Sequence, residues 1–441
     1  MQAGRRYILP LMADDSTPPP AKLSWWQNED WLAVITAVPL IAAVLLGWSP
    51  VMPKLGWLRA ADIEKVLTGA NLTAMGQIGL IFVLVSAIVL AASLGKKVLP
   101  FIGGAALVFV LAMAAQFLSA QATVKAYGLE YVVFALSLGL LWSHLLPVPG
   151  WLMAAVRTEF FIKVGIVMLG ASILFPELMK AGLPGLIQAA IVIPVVWHIT
   201  FRLCRWLKVD DEFGVMLSTA VSICGVSAAI AACGAIQGDR KKLSYVTSIV
   251  LLCAVPMMIF MPPLIKVMGL SDAVGGAWLG GTLDTSGSVA AATEMISEAA
   301  TKTGTIVKLS QNVLIGFAAF FLSIWWTMRG GKDGTRQERP SASVIWERFP
   351  KFVIGFLLAS LVFSFAITPG EAKAANGFLK GLREVWFTAA FVCIGLETRL
   401  GDLFKLGGGR PALAFVGGQA FNVLWTLLLA WLLFGGVLMG E

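Results

Sequence analysis

Two short polar interruptions in an otherwise apolar chain hold the residues whose types and spacing could do chemistry. The first reads Ser222-Ile223-Cys224-Gly225-Val226-Ser227, and the second Asp284-Thr285-Ser286-Gly287-Ser288. They lie within 212–236 and 275–299, stretches rich in Gly, Ala, Ser and Thr. Each half is only about 10–12 residues, too short to cross a bilayer but suited to a re-entrant hairpin or a broken helix. A helix that begins past Gly225, and another past Gly287, would place Ser227 and Ser288 as N-caps or first-turn residues. The first N–H groups of a helix have no internal partner, and the helix dipole puts partial positive charge there. Two such ends that converge make an anion site without any cationic side chain. The hydroxyls of Ser222, Thr285 and Ser286 would complete the hydrogen bonding. The competing explanation is that small residues here only let helices pack closely.

Asp284 is the sharpest single residue, because a carboxylate inside a membrane is costly and marks a functional site by default. It could bind Na⁺, carry a coupling proton, or merely cap the second interruption. An acid beside an anion site repels substrate unless it is protonated or cation-bound, which would couple the two. Other polar residues invite plainer readings. Glu159 and Lys163, at i and i+4, are expected to form a stapling ion pair. Lys308, placed at a span end, is expected to snorkel towards the interface. Gln311 and Asn312 either face the pathway or bind helix to helix. Glu397 and Arg399 are expected to pair with one another or with a loop, His198 to make a satisfied polar contact, and His144 to lie at the interface. No phosphate-binding loop, zinc motif or nucleophile elbow occurs, so no cofactor, resident metal or enzymatic role is expected.

These residues need elements to hold them, and composition says which. The chain has 441 residues, of which 58% are hydrophobic and only 13% charged, about half the charged share of a soluble domain. Its mean hydropathy is +0.84. These values exclude a soluble globular, disordered, fibrous or disulfide-stapled chain. The net charge of +8 fits Lys and Arg in cytoplasmic loops and is no sign of nucleic acid. The five cysteines form no CxxC pair and are expected to be buried thiols. The expected fold is an all-α polytopic membrane protein with about 11 transmembrane helices plus the two interrupted segments. Spans are expected near 31–48, 74–94, 99–119, 128–146, 158–175, 183–203, 244–265, 305–326, 352–368, 384–400 and 411–436. Residues 1–30 read as a solvated tail without a signal peptide, and 31–98 as an extension with two spans. Residues 99–436 read as the transporter domain, with a basic cytoplasmic loop at 327–351.

An internal repeat ties these pieces together. Glu159, Val167, Gly170, Leu178, Lys180 and Gly182 match Glu384, Val392, Gly395, Leu403, Lys405 and Gly407 without gaps. A shorter match pairs Gly225, Ala228 and Ala229 with Gly287, Ala290 and Ala291. Only hairpins at both interruptions make both pairs antiparallel, and the hairpins then come from opposite sides. Inverted repeats with broken elements that meet at mid-membrane characterise secondary transporters.

Several stretches resemble the YeiH-type bacterial inner-membrane proteins, commonly labelled candidate sulfate exporters. They are Ser222-Ile-Cys-Gly-Val-Ser-Ala-Ala, Trp278-Leu-Gly-Gly-Thr-Leu-Asp-Thr, Ile306-Val-Lys-Leu-Ser-Gln-Asn and Ile394-Gly-Leu-Glu-Thr-Arg-Leu. The likeness covers about residues 100–436 and implies an inverted-repeat anion transporter with discontinuous helices. By that resemblance Ser222, Cys224, Gly225, Ser227, Asp284, Lys308 and Asn312 fall in characteristic positions. One departure stands out: where the family often shows His-Asp-x-x-Gln, this chain has Leu283, Asp284 and Gly287.

Together these features lead to the expectation of a secondary active transporter in the bacterial inner membrane, for sulfate, sulfite or a small sulfonate. H⁺ or Na⁺ would couple at Asp284, and Ser222, Cys224, Gly225, Ser227, Thr285, Ser286, Gly287, Ser288 and Asn312 would bind the anion. The expected partners are that anion and the lipid bilayer, with a homodimer possible and no nucleic acid. The alternatives are a cation/proton antiporter that uses Asp284, an anion channel, or a membrane-embedded enzyme. No cationic side chain is expected at the site.

Overall fold

Each of the eleven long apolar runs folds as helix over most of its described residues, because a backbone in hydrocarbon must satisfy its own hydrogen bonds. The computed structural model describes residues 28–49, 51–126, 129–328, 343–398 and 409–438. Most of the tail expected at 1–30, most of the 327–351 loop, Arg399 and the repeat partners beyond it lie outside the described residues. The N-terminal helices are α1 (Glu29–Leu45), α2 (Gly69–Leu94), α3 (Val98–Ser119), α4 (Tyr131–Leu145) and α5 (Thr158–Gly170). Next come α6 (Phe175–Trp206), α7 (Asp211–Ser222), α8 (Val226–Ile236) and α9 (Arg240–Val267). Then follow α10 (Asp272–Thr282), α11 (Ser286–Glu294), α12 (Glu298–Val313) and α13 (Ile315–Met328). The last three are α14 (Phe352–Phe365), α15 (Pro369–Glu397) and α16 (Arg410–Phe434). Among the described residues no strand forms. Six segments are long and apolar enough to cross a membrane, from Gly69–Ala91 to Arg410–Phe434, and shorter apolar helices accompany them. The protein is an all-α, multi-pass membrane protein.

The chain divides into two compact units: residues 1–175 with 351–399, and residues 176–350 with 400–441. In the first unit α1–α5 pack with α14 and α15. Its core is aromatic: Phe82 contacts Phe109, Phe161 and Trp386, with ring centroids 5.9, 5.1 and 5.2 Å apart. Glu159 and Lys163 do approach, at 3.5 Å, but Lys163 sits closer to Asp30 of α1, at 2.9 Å. Lys163 therefore staples its own helix, as expected, and ties α1 to α5 as well. Glu397 accepts a hydrogen bond from Thr158 Oγ1 at 3.0 Å. His144 lies at the end of α4 with Nδ1 2.8 Å from Leu140 O.

The second unit contains both interrupted segments, and both are hairpins. Their bases close. Lys242 Nζ, just after the first segment, donates to Asp210 Oδ1 at the N-cap of α7 and to Glu212 Oε2 in its first turn, each at 2.8 Å. The Asp239 amide also donates to Glu212 Oε1. At the second segment Ser297 Oγ donates to Asp272 Oδ2 at 2.7 Å. Each chain segment thus returns to the end at which it came in.

The two hairpins come from opposite ends of the unit. Helices α6 and α12 run parallel, with Glu177 beside Lys302 and Gly185 beside Val307. Helix α10 runs parallel to α12 too: a Cβ at Gly276 would lie 2.5 Å from Ala300 O, and one at Gly280 2.4 Å from Gly304 O. Only glycine permits that approach. Helix α7 instead runs antiparallel to α6, since Trp197 Nε1 donates to Thr219 Oγ1 at 3.0 Å and Gly214 packs on Phe201 and Cys204. His198, expected to hold a polar contact, is exposed on the outer face of α6, because Trp197 and Phe201 take the inner one.

Candidate functional site

The tips of the two hairpins touch. A Cβ at Gly225 would lie 3.0 Å from Asp284 Cβ and 2.6 Å from Val250 Cγ1. Gly225 has φ +57°, a left-handed conformation that glycine adopts without steric cost. It is the N-cap of α8, and no side chain caps that helix. The first-turn amides of α8 thus remain open at the tip. At the second tip the helix begins earlier than the sequence suggests, at Ser286 rather than past Gly287. Thr285 is the N-cap, and its Oγ1 accepts the Ser288 amide at 3.0 Å. A threonine that can satisfy an orphan amide fixes the start of the helix. The breaks are accordingly narrower than expected, Ile223–Gly225 and Leu283–Thr285.

The tips place the expected anion ligands unevenly. Ser227 is exposed in the first turn of α8, and Thr285 and Ser286 are half-buried. Asn312 of α12 is 5% exposed and donates from Nδ2 to Ser286 Oγ at 3.2 Å, which leaves its Oδ1 without a partner among the described residues. Thr285, Ser286, Asn312 and the α11 N-terminus therefore form one group. Ser222, Cys224, Gly287 and Ser288 are buried. Ser222 turns its hydroxyl back to Thr219 O at 3.4 Å, and Ser288 pairs with Thr285 Oγ1 at 2.8 Å. These four build the tips rather than face outward.

Lys308 overturns two expectations. It does not snorkel, and a cation does reach the tips. It is 2% exposed, and its ammonium donates to Ile223 O at 2.7 Å, Leu283 O at 2.7 Å and Gln311 Oε1 at 2.8 Å. The two carbonyls belong to the C-caps of α7 and α10, where helix dipoles concentrate partial negative charge. The span predicted at 305–326 put Lys308 near its start. The helix actually begins at Glu298, so Lys308 lies mid-helix and cannot reach an interface.

Amide side chains finish the same task. Gln311 Nε2 donates to Ser222 O at 3.0 Å, and Asn422 Nδ2 to Val221 O at 3.1 Å and Thr282 O at 3.4 Å. Gln419 Nε2 donates to Thr282 O at 3.0 Å, and Gln188 Nε2 to Ala277 O at 3.0 Å. Sequence reasoning passed over Gln188, Gln419 and Asn422. Their signal was present: Gln419, Asn422 and Thr426 recur on one face of the apolar helix α16, a spacing that marks a polar stripe. Asp284 is 1% exposed at the junction, and neither carboxylate oxygen has a hydrogen-bond partner among the described residues. The site thus has two poles, helix C-termini held by Lys308 and amides, and helix N-termini open beside small hydroxyls.

Comparison with known proteins adds a family. The family described as conserved hypothetical protein 698 matches residues 103–414. A UPF0324 membrane protein of Rhodopirellula baltica is 40% identical over 349 residues, 77% of this chain and 64% of that protein. Another, of Nitratidesulfovibrio vulgaris, is 37% identical over 355 residues, 77% of this chain and 61% of that protein. A shorter relative in Bacillus cereus is 25% identical over 335 residues, 76% of this chain and 95% of its own length. The chain spans less than two thirds of the length of the first two relatives.

Proposed function

The chain belongs to the family of conserved hypothetical protein 698, the UPF0324 membrane proteins, and on that footing we propose that it is a secondary active transporter of a small anion. The observation that carries this reading is the meeting of two opposed hairpins whose second helices, α8 and α11, both begin at the junction. The anion takes hydrogen bonds from first-turn amides and from the hydroxyls of Ser227, Thr285 and Ser286, with Asn312 alongside. Helix N-termini supply the attraction that a mobile cationic side chain would otherwise provide. Lys308 is committed to the opposite pole, where it holds the two tips in register. Sulfate, sulfite and small sulfonates suit hydroxyl and amide donors, since their oxyanion groups present several acceptor oxygens and no donor. Access alternates as the body that bears both hairpins moves, and Asp284 links substrate to H⁺ or Na⁺.

Uptake into proteoliposomes across a panel of sulfate, sulfite, thiosulfate, taurine and carboxylates tests the reading. One anion should saturate transport, and Ser286→Ala should weaken it. Unchanged ion dependence in Asp284→Asn would remove the coupling role. The orphaned carboxylate of Asp284 also favours a second reading, a cation/proton antiporter. Transport that ignores every anion tested but follows Na⁺ and pH gradients would replace the first reading by the second.

A further inference from the structure

At the junction of the hairpins the charges do not balance. Lys308 has three hydrogens, and all three are used: on Ile223 O, Leu283 O and Gln311 Oε1. Two helix C-termini carry about half a negative charge each, so together they offset roughly one cation. Lys308 is thereby spent on α7 and α10. Asp284 lies near enough to interact with it, yet no ion pair forms, and both carboxylate oxygens stay without a partner among the described residues. A buried carboxylate without donors is strongly disfavoured unless a cation or a proton joins it.

The neighbouring groups give the carboxylate no hydrogen bond among the described residues. Gln419 lies beside the carboxylate, but its Nε2 is directed to Thr282 O at 3.0 Å and Met257 Sδ at 3.4 Å. Its Oε1 is left without a partner among the described residues, and so is Thr282 Oγ1. Gln419 is 5% exposed and Thr282 1%. The junction therefore gathers a carboxylate, an amide oxygen and a hydroxyl oxygen, all in buried residues and none in a hydrogen bond among the described residues. A proton would bind one carboxylate oxygen, whereas a cation can be met by all three groups at once. Oxygen-only donors select hard cations. One carboxylate matches one positive charge, whereas a divalent ion would add a surplus charge beside Lys308.

We infer that Asp284, Gln419 and Thr282 form a binding site for a sodium-class monovalent cation where the two hairpins meet. The inference rests on the transporter reading for its purpose, since the bound cation is what permits an anion to approach Asp284. Its existence is tested separately. The full chain, purified in detergent, is unfolded thermally with NaCl replaced by KCl or choline chloride at constant ionic strength. Sodium should raise the unfolding temperature saturably, and potassium and choline should not, because a ligand of the folded state stabilises it by mass action. Asp284→Asn should abolish the effect. Gln419→Leu should raise the half-saturating sodium concentration about tenfold or more.

Should Asp284→Asn fail to fold, Gln419→Leu and direct binding of radioactive sodium to the wild type decide. Sodium-independent stability, absent sodium binding, or a Gln419→Leu variant with wild-type sodium dependence overturns the inference. A parallel sulfate and sulfite series separates the two claims. Anion stabilisation with no sodium effect sinks the cation site and leaves the anion reading. A sodium effect with no anion response keeps the site and sinks that reading.

Discussion

Lys308 and Gly225 show how single residues fix the tips. Replacement of Lys308 by Met leaves Ile223 O and Leu283 O buried without a donor. At about 1–3 kcal/mol for each orphaned carbonyl, the expected loss is roughly 2–6 kcal/mol. Thermal unfolding in detergent measures it, and a wild-type midpoint would refute the clasp. Lys308→Arg should not rescue, because a planar guanidinium cannot direct three hydrogens onto three acceptors around one point. Gly225→Ala should cost roughly 2 kcal/mol or more, from the left-handed backbone and the collision with Val250. Circular dichroism melts would register it, and an unshifted melt would mean that the tips do not meet. The sequence marked Gly225 and Asp284 correctly as tip residues. It misplaced Lys308 because the polar start of α12, Glu298-Ala-Ala-Thr-Lys-Thr-Gly, does not read as helix on hydropathy, although helix it is. Tertiary contacts with α10 and α11 decide that segment, and no local signal carries them.

The hairpin is the unit at the next scale, and its base carries a measurable clasp. At the first hairpin Asp210 is partly desolvated, which raises its pKa, but the hydrogen bond from Lys242 and the Phe213 amide outweigh that and hold it below the usual carboxylate range. For Lys242 desolvation acts downward, and the bonds to Asp210 and Glu212 bring it above the usual lysine value. A carboxylate with a depressed pKa stabilises the fold above its unfolded pKa, and the contribution is lost as pH falls through the folded one. A lysine with a raised pKa contributes below its unfolded pKa and loses that as pH rises through the folded value. The clasp should therefore be fully present between about pH 5 and pH 9. The difference in melting temperature between wild type and Lys242→Met should be flat across that window and shrink below it. A constant difference down to pH 3 would show that the charge of Asp210 plays no part; about pH 3 is where an ordinary aspartate is mostly protonated. Hydropathy was enough to locate helix at each of the eleven apolar runs, and both interruptions. Hairpin closure was not legible, since it rests on pairs such as Lys242 with Asp210 and Ser297 with Asp272, far apart in sequence and unremarkable individually.

For the whole molecule, the charge count takes on a different meaning once the structure is known. A chain with 13% charged residues suggested that anion recognition rests on backbone dipoles and hydroxyls alone. The structure instead puts one lysine at the centre, but on the C-terminal ends of α7 and α10, so the N-terminal pole still lacks a cationic side chain among the described residues. Every group in the proposed anion and cation sites belongs to one unit, residues 176–350 with 400–441. Binding should accordingly protect one unit selectively. Hydrogen exchange read by mass spectrometry, with and without the transported anion, should show slower exchange at the starts of α8 and α11, around Asn312 and along α16. At an anion concentration about 100 times Kd the stabilisation is about 2.7 kcal/mol, close to a hundredfold slowing for amides that open only from the free state. Amides of α1–α5 should show no comparable change, because no group of the proposed sites lies in that unit. Protection centred on α5 and α15 instead would move the site to the neighbourhood of Glu397 and favour the antiporter reading, whereas protection confined to the hairpin tips would tie anion binding to the helix N-termini.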